Sequence, residues 1–375
     1  MKKLLLVLIL FSSCNFFTKN QNTNNSILPG RLGSPNMILK DDPRVLPQIV
    51  RALTPFGMDG AAPPSPVLID APIKERLDFM TATEPVFEQF SEALYSDISE
   101  AEGIERTTYS LIGEDNNEIK LYVHKPTNII SEIPGILHIH GGGMAILKGE
   151  NINYKTWRDD LASKGLVVVG VEFRNAAGEL GNYPFPAGLN DCSSALQWMY
   201  EKKAQLGISK IIISGESGGG NLSLATAIKA KKEDKLEQFD GVYAQCPYIS
   251  NDYEKKNYDL PSLIENDTYF LNVQMMSVMA SVYDGKESTN PLAWPLYAKK
   301  EDLEGLPPHV ISVNELDPLR DEGLMYYKNL LNAGVNAKSR IVNGTIHAGD
   351  VIFKKDIPEV YLATQTDIYN FANGL

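Results

Sequence analysis

The sequence predicts an α/β protein with an eight-stranded, mostly parallel sheet, helices on both faces and a helical cap. Three observations carry that expectation. Short apolar segments alternate with stretches of helical period from about residue 135 onward, the pattern of βαβ units. Two further apolar segments ahead of them flank a polar tetrapeptide, as in a hairpin. Two regions, 42–105 and about 252–300, stand outside the alternation and carry apolar stripes of helical spacing.

The elements follow in chain order. "MKKLLLVLILFSSC" has two lysines, an apolar run from Leu4 to Phe11 and small residues before Cys14. That is the layout of an export signal over 1–13, with a run too short to span a bilayer as a helix. "FSSC" resembles the lipobox of bacterial lipoproteins, which implies a lipid anchor on Cys14. The expectation is an exported, membrane-anchored protein on the periplasmic or cell-surface side, or otherwise a secreted one. Residues 14–41, rich in Asn, Ser and Gly and without period, read as a flexible tether.

Asp42-Pro43 offers an N-cap followed by proline at the first helical position. Ile73, Leu77, Met80, Phe87, Phe90 and Leu94 then form an amphipathic stripe, broken around Glu84-Pro85. "RTTYSLIG" and "EIKLYVHKP", joined by "EDNN", give the hairpin that opens a catalytic domain over 106–375. The strands "GILHIH", "LVVVGVEF", "KIIISG", "FDGVYAQCPYI", "PHVISVNE" and "AKSRIVNG" follow, with helices at 186–206, 218–232 and 321–334 among them. The interval 252–300 is too long for a connection. It reads as a cap insertion whose helical run opens with a capping box, Ser262 and Glu265.

Composition excludes some functions. The net charge is −12 and no Lys/Arg block lies beyond the extreme N-terminus, so nucleic acid is not the expected partner. After Cys14 only Cys192 and Cys246 remain, each in an apolar stretch, one of helical and one of strand character, and both are expected as unpaired core thiols. His138 and His140 share one side of a strand, but no third ligand stands at a metal-binding spacing. Neither a metal nor an organic cofactor is expected.

The chemistry lies in a few short strings. "KIIISG" runs into "GESGGGN", so Gly215-x-Ser217-x-Gly219 sits between an apolar strand and a helix-compatible run. A G-x-S-x-G string alone is weak; in this context it is a nucleophile elbow, which holds the serine hydroxyl out above the sheet. Attack on a carbonyl creates an oxyanion, and one backbone donor for it follows the nucleophile, at Gly218. The bare backbone of "HGGG" (140–143), directly after a strand, suits the remaining donors. A base and an orienting acid are needed next. Asp317 and His347 each follow an apolar strand, in the order Ser, Asp, His. Asp321 is the rival acid but lies deeper in the following helix, and His309 precedes its strand instead of ending it.

Together "HGGG", "PFPAGLND", "GESGGGN", "DPLRDEG" and "GTIH" resemble the hormone-sensitive-lipase family of α/β hydrolases, collinearly from about residue 106 to the C-terminus. The resemblance implies the α/β-hydrolase fold, Ser217 as nucleophile with Asp317 and His347 completing a triad, and Gly142, Gly143 and Gly218 as oxyanion donors. It also implies a small-molecule ester substrate, bound beneath a cap and cleaved through an acyl-enzyme. Where the family reads "GDSAGG" this chain has "GESGGG", and "YRLAPE" is here the longer "FRNAAGE". An amidase or deacetylase using the same triad, or a non-catalytic binding homologue, stays open at this stage.

Overall fold

The structure, a computed structural model, describes residues 28–251, 253 and 259–375. The expected signal peptide, Cys14 and the first part of the tether lie outside the described residues.

Eight strands form one sheet: β1 Ile104–Ile112, β2 Glu118–Pro126, β3 Ile133–Ile139, β4 Val167–Glu172, β5 Ile208–Glu216, β6 Gly241–Gln245, β7 His309–Leu316 and β8 Ala337–Ile346. Their spatial order is β1-β2-β4-β3-β5-β6-β7-β8. The β1–β2 and β2–β4 pairs are antiparallel and all others parallel. The hairpin turns at Gly113–Asn117, where the Gly113 N–H donates to the Asn117 carbonyl at 2.8 Å and Asn116 takes φ 61°.

Strand periodicity divides the inner strands between two cores. Leu137, Val169, Ile213, Ala244 and Ile311 face one side, under α4 Ala187–Glu201, α5 Gly218–Lys232 and α7 Arg320–Asn332. Ile136, Val168, Ile212, Tyr243 and Val310 face the other, under α3 Ile152–Ser163 and α8 Pro358–Gly374. Each fully buried valine, leucine or isoleucine among them is worth about 1.5–3 kcal/mol. The chain steps from β3 outward to β4, then crosses back to β5 on the other side of β3. Ile139 is paired with Gly215, so the loops leaving β3 and β5 emerge side by side at a topological switch point.

The N-terminal segment departs from expectation in four ways. Part of the expected tether is packed: residues 30–41 hold two short helical turns, and Leu39 is fully buried in a third core. Asp42 opens no helix, because its carboxylate accepts from the backbone and guanidinium of Arg44 instead. The helix starts later, as α1 Pro47–Leu53. Finally, α2 Ile73–Tyr95 runs unbroken through Pro85, with Ile73 exposed and Met80, Phe90 and Leu94 buried. At the end of α2 the Tyr95 hydroxyl lies 3.0 and 2.8 Å from the carbonyls of Val351 and Ile352, on the opposite end of the chain.

In the second region the expected capping box is absent. Ser262 Oγ donates to the Pro318 carbonyl, and Glu265 pairs with Arg44 and Arg320. The helix there is α6 Val273–Asp284, and its cap is Asn272, whose side chain accepts from the Gln274 and Met275 amides at 2.8 and 3.1 Å. Among the described residues, no helix is long and apolar enough to cross a membrane.

Candidate active site

β5 ends at Glu216 and α5 begins at Gly218, so Ser217 alone makes the turn between them. It does so at φ 56° and ψ −117°, a conformation that costs a non-glycine residue about 1–3 kcal/mol. Backbone bonds hold it there. The Ser217 N–H donates to the Gln245 carbonyl at 2.9 Å, while its own carbonyl accepts from Asn221 and Tyr248 at 3.0 and 3.1 Å. The buried Asn221 side chain then donates to the Tyr248 and Ala293 carbonyls, tying the first turn of α5 to the neighbouring loops.

Asp317 directly follows β7 and His347 directly follows β8, and Leu316 is paired with Ile346. The sheet register therefore brings acid and base together. His347 Nδ1 lies 2.8 Å from Asp317 Oδ2, and Asp317 is fully buried with Oδ1 accepting the Leu319 N–H at 2.9 Å. A proton on Nδ1 leaves Nε2 as the basic face of the ring. Ser217 and His347 line the same cavity. The rival acid is engaged elsewhere, with Asp321 accepting from the Ser262 amide and pairing with Arg320. His309 is buried at the opposite end of β7, 2.6 Å from the Pro307 carbonyl.

The loop after β3 packs directly on the elbow. Gly142 and Gly143 have φ 94° and 61°, and both line the cavity. A side chain at Gly218 would place its Cβ 2.6 Å from the backbone nitrogens of Gly143 and Met144, so the elbow and loop backbones touch only because residue 218 has none. Gly143 in turn lies under Met279, whose sulfur occupies the space a Cβ would take.

Glu216 fixes the start of this loop. Its Oε1 accepts the Gly141 N–H at 2.6 Å, and burial pushes its carboxyl up to about 8 against the lowering effect of that bond. The folded protein thus holds a proton on Glu216 that the unfolded chain has released between about pH 4.5 and 8. Stability contributed by the protonated form is fully present below the unfolded value and is lost as pH rises through the folded one. Glu216→Gln is therefore expected to flatten the fall in Tm between pH 5 and pH 8, measured by thermal unfolding. A variant whose Tm falls over that interval as steeply as the unmutated protein's would contradict this.

The cavity, ≈ 110 Å³, is mainly apolar, with Ser91, Asn153, Tyr154 and His347 among its lining besides the elbow and loop. Phe87 and Phe90 of α2 and Phe270, Met275, Met276 and Met279 of the 252–300 region line it. The two regions meet through their rings, with Phe90 and Phe270 5.9 Å apart.

His138 and His140 are both buried, and burial pushes the imidazole of His140 down to about 3. His140 stacks on Phe173 with ring centres 4.3 Å apart. Among the described residues the grouping of three possible metal ligands is a different one: Cys246, Asp317 and His347. Two of these are the acid–base pair itself. Cys246, one residue beyond β6, is a neutral thiol that burial pushes well above its usual range. The sequence carried no signal for its place beside the pair, because β6 and β7 meet only in the folded sheet. Cys192 is likewise buried and free, within α4.

A family model described as alpha/beta hydrolase fold matches residues 136–350, more than half of the chain. The fold is also similar to a solved structure titled brefeldin A esterase, a bacterial homologue of human hormone-sensitive lipase. That match has a TM-score of 0.88 and 40% identity, and it covers 92% of this chain and 98% of the other. The chain belongs to the hormone-sensitive-lipase family of α/β hydrolases. This α/β hydrolase is 34% identical over 227 residues to an arylesterase of Saccharolobus solfataricus, covering 57% of this chain and 67% of the relative. It is 30% identical over 260 residues to a carboxylesterase of Mycobacterium tuberculosis, covering 68% and 78%.

Proposed function

We propose that this carboxylic-ester hydrolase cleaves short- to medium-chain esters through an acyl-enzyme on Ser217. The observation that supports it most is the 2.8 Å contact of His347 with Asp317 beside a cavity that Ser217 also lines. Ser217 Oγ attacks the ester carbonyl while His347 Nε2 takes its proton, and Asp317 stabilises the imidazolium. The amides of Gly142, Gly143 and Gly218 donate to the oxyanion. As the tetrahedral intermediate collapses, His347 returns the proton to the leaving alcohol. It then deprotonates the water that attacks the acyl-enzyme; collapse of this second intermediate breaks the bond to Ser217 Oγ, which takes the proton back from His347 as the carboxylic acid is released. No step requires a metal or organic cofactor.

The chain-length reading is supported by the phenylalanines and methionines that line the cavity. A long acyl chain would have to displace the methionines and phenylalanines, and overpacking a formed wall is costly. With a series of p-nitrophenyl esters, kcat/KM is expected to be higher for acyl groups of about two to eight carbons than for sixteen. The gain per methylene is bounded at about 0.8 kcal/mol. A sixteen-carbon optimum would contradict the reading. Matched anilides should turn over far more slowly; equal rates would favour an amidase.

The chain's address is proposed from its N-terminus, where the apolar run before "FSSC" supports export and lipid attachment at Cys14. In a bacterial host the protein should sediment with membranes and Cys14→Ser should release it. A soluble wild type whose mature chain does not begin at Cys14 would overturn this.

A further inference from the structure

We infer that Glu84, on the cap helix α2, is a positioning residue for the oxyanion hole. Its carboxylate is buried, and its two oxygens accept backbone N–H groups from two different loops. Oε1 accepts from Leu147 at 2.7 Å, at the far end of the loop that carries Gly142 and Gly143, and Oε2 accepts from Glu179 at 2.6 Å. A buried carboxylate is costly unless it is fully hydrogen-bonded, and these bonds run out of its own helix.

The loop 142–147 is a tight turn. The Gly142 carbonyl accepts from the Ala145 and Ile146 amides at 3.0 and 3.1 Å, and Met144 and Leu147 take φ 58° and 75°. Its outer side is laced to the chain after β4. Ala176 and Ala177 donate to the Met144 and Ala145 carbonyls, and the Asn175 side chain donates to Leu147. Glu84 closes this ladder by holding the last amide of the turn and the Glu179 amide with one group. Glu216 holds the Gly141 amide at the other end. The turn that aims the Gly142 and Gly143 amides is thus fixed at both ends by carboxyl groups, Glu216 from the sheet and Glu84 from the cap. Phe87, one turn further along α2, lines the cavity. The helix that covers the substrate therefore also sets the donors that stabilise its oxyanion. Displacing a reacting group's partner by about 1 Å is enough to cost up to about a hundredfold in rate.

The inference rests on Ser217 chemistry, which wild-type turnover and phosphonate labelling of Ser217 test separately. A wild type inert to both would remove that chemistry, whereas an active wild type with unaffected variants would remove only the role of Glu84. Glu84→Gln keeps the shape but faces one amide with a donor, and Glu84→Asp keeps the charge but shortens the reach. Per phosphonate-titrated active site, both are expected to lose about 10- to 100-fold in kcat, with KM for a two-carbon ester changed less than about threefold. Inhibition by a trifluoromethyl ketone, which forms an oxyanion on Ser217, should weaken by the same factor. If Tm falls while kcat per titrated site and ketone affinity stay within about twofold, Glu84 is only structural and the inference fails. In the unmutated protein the Leu147 and Glu179 amides should resist hydrogen exchange for as long as the β3 amides; exchange within seconds would also overturn it.

Discussion

Ser217→Ala is expected to lower ester turnover by about 10⁵- to 10⁶-fold while leaving the fold and Tm close to wild type. The residue makes the strand-to-helix turn at φ 56°. Its backbone bonds to Gln245, Asn221 and Tyr248 do not involve the hydroxyl, so alanine can keep them. What disappears is the nucleophile. Residual hydrolysis should come only from binding and the oxyanion donors. A serine-directed phosphonate should label wild type at Ser217 and leave the variant unmodified, as read by intact mass. A variant that is still labelled, or that keeps more than about 1% of the turnover, would remove Ser217 from the chemistry.

The second large effect is expected at Gly218. Family members carry alanine here, so Gly218→Ala would ordinarily count as conservative. In this chain an alanine methyl would sit 2.6 Å from the nitrogens of Gly143 and Met144. Those are backbone atoms, held in a turn whose ends are bonded to Glu216 and Glu84. The loop cannot yield without moving its amides off the oxyanion. Loss of one such donor costs about 2.7–4 kcal/mol, or roughly 10²–10³ in kcat. Glu216→Asp in the same chain withdraws the carboxyl group from Gly141 by one methylene and gives the loop room to retreat. The double variant should therefore recover part of the loss in kcat. A Gly218→Ala enzyme with wild-type kcat would show that the contact does not govern the donors.

The two departures from the family string thus act at one place, and the sequence showed both without showing that they meet. The chemistry was legible because each piece is local: an apolar strand ending in Ser217, in Asp317 or in His347 announces a strand-end residue before any packing is known. The alternation of strands and helices likewise fixed the sheet, since side-chain period decides which residues face which layer. Contacts between distant segments were not legible. Asp42-Pro43 reads as a helix start, yet Arg44 two residues on captures the carboxylate. Ser262 and Glu265 have capping-box spacing, but Arg44 and Arg320 draw Glu265 away. Glu84 beside a proline reads as a helix break, while its carboxylate serves loops 63 and 95 residues further on. Arg44 is itself a near neighbour of Asp42, whereas Glu265 and Glu84 are drawn away by residues far along the chain.

The bonds of Tyr95 to the carbonyls of Val351 and Ile352 have a consequence for the order in which the chain can fold. A ribosome adding about 5–20 residues per second leaves Tyr95 without these partners for on the order of ten seconds or longer. During that interval Phe90, Leu94 and Tyr95 present an apolar face whose final cover, which includes Phe353 and Ile357, has not been synthesised. The substrate cavity, which Phe87 and Phe90 of α2 line together with Val351 and Ile352, is therefore complete only once both ends of the chain are in place.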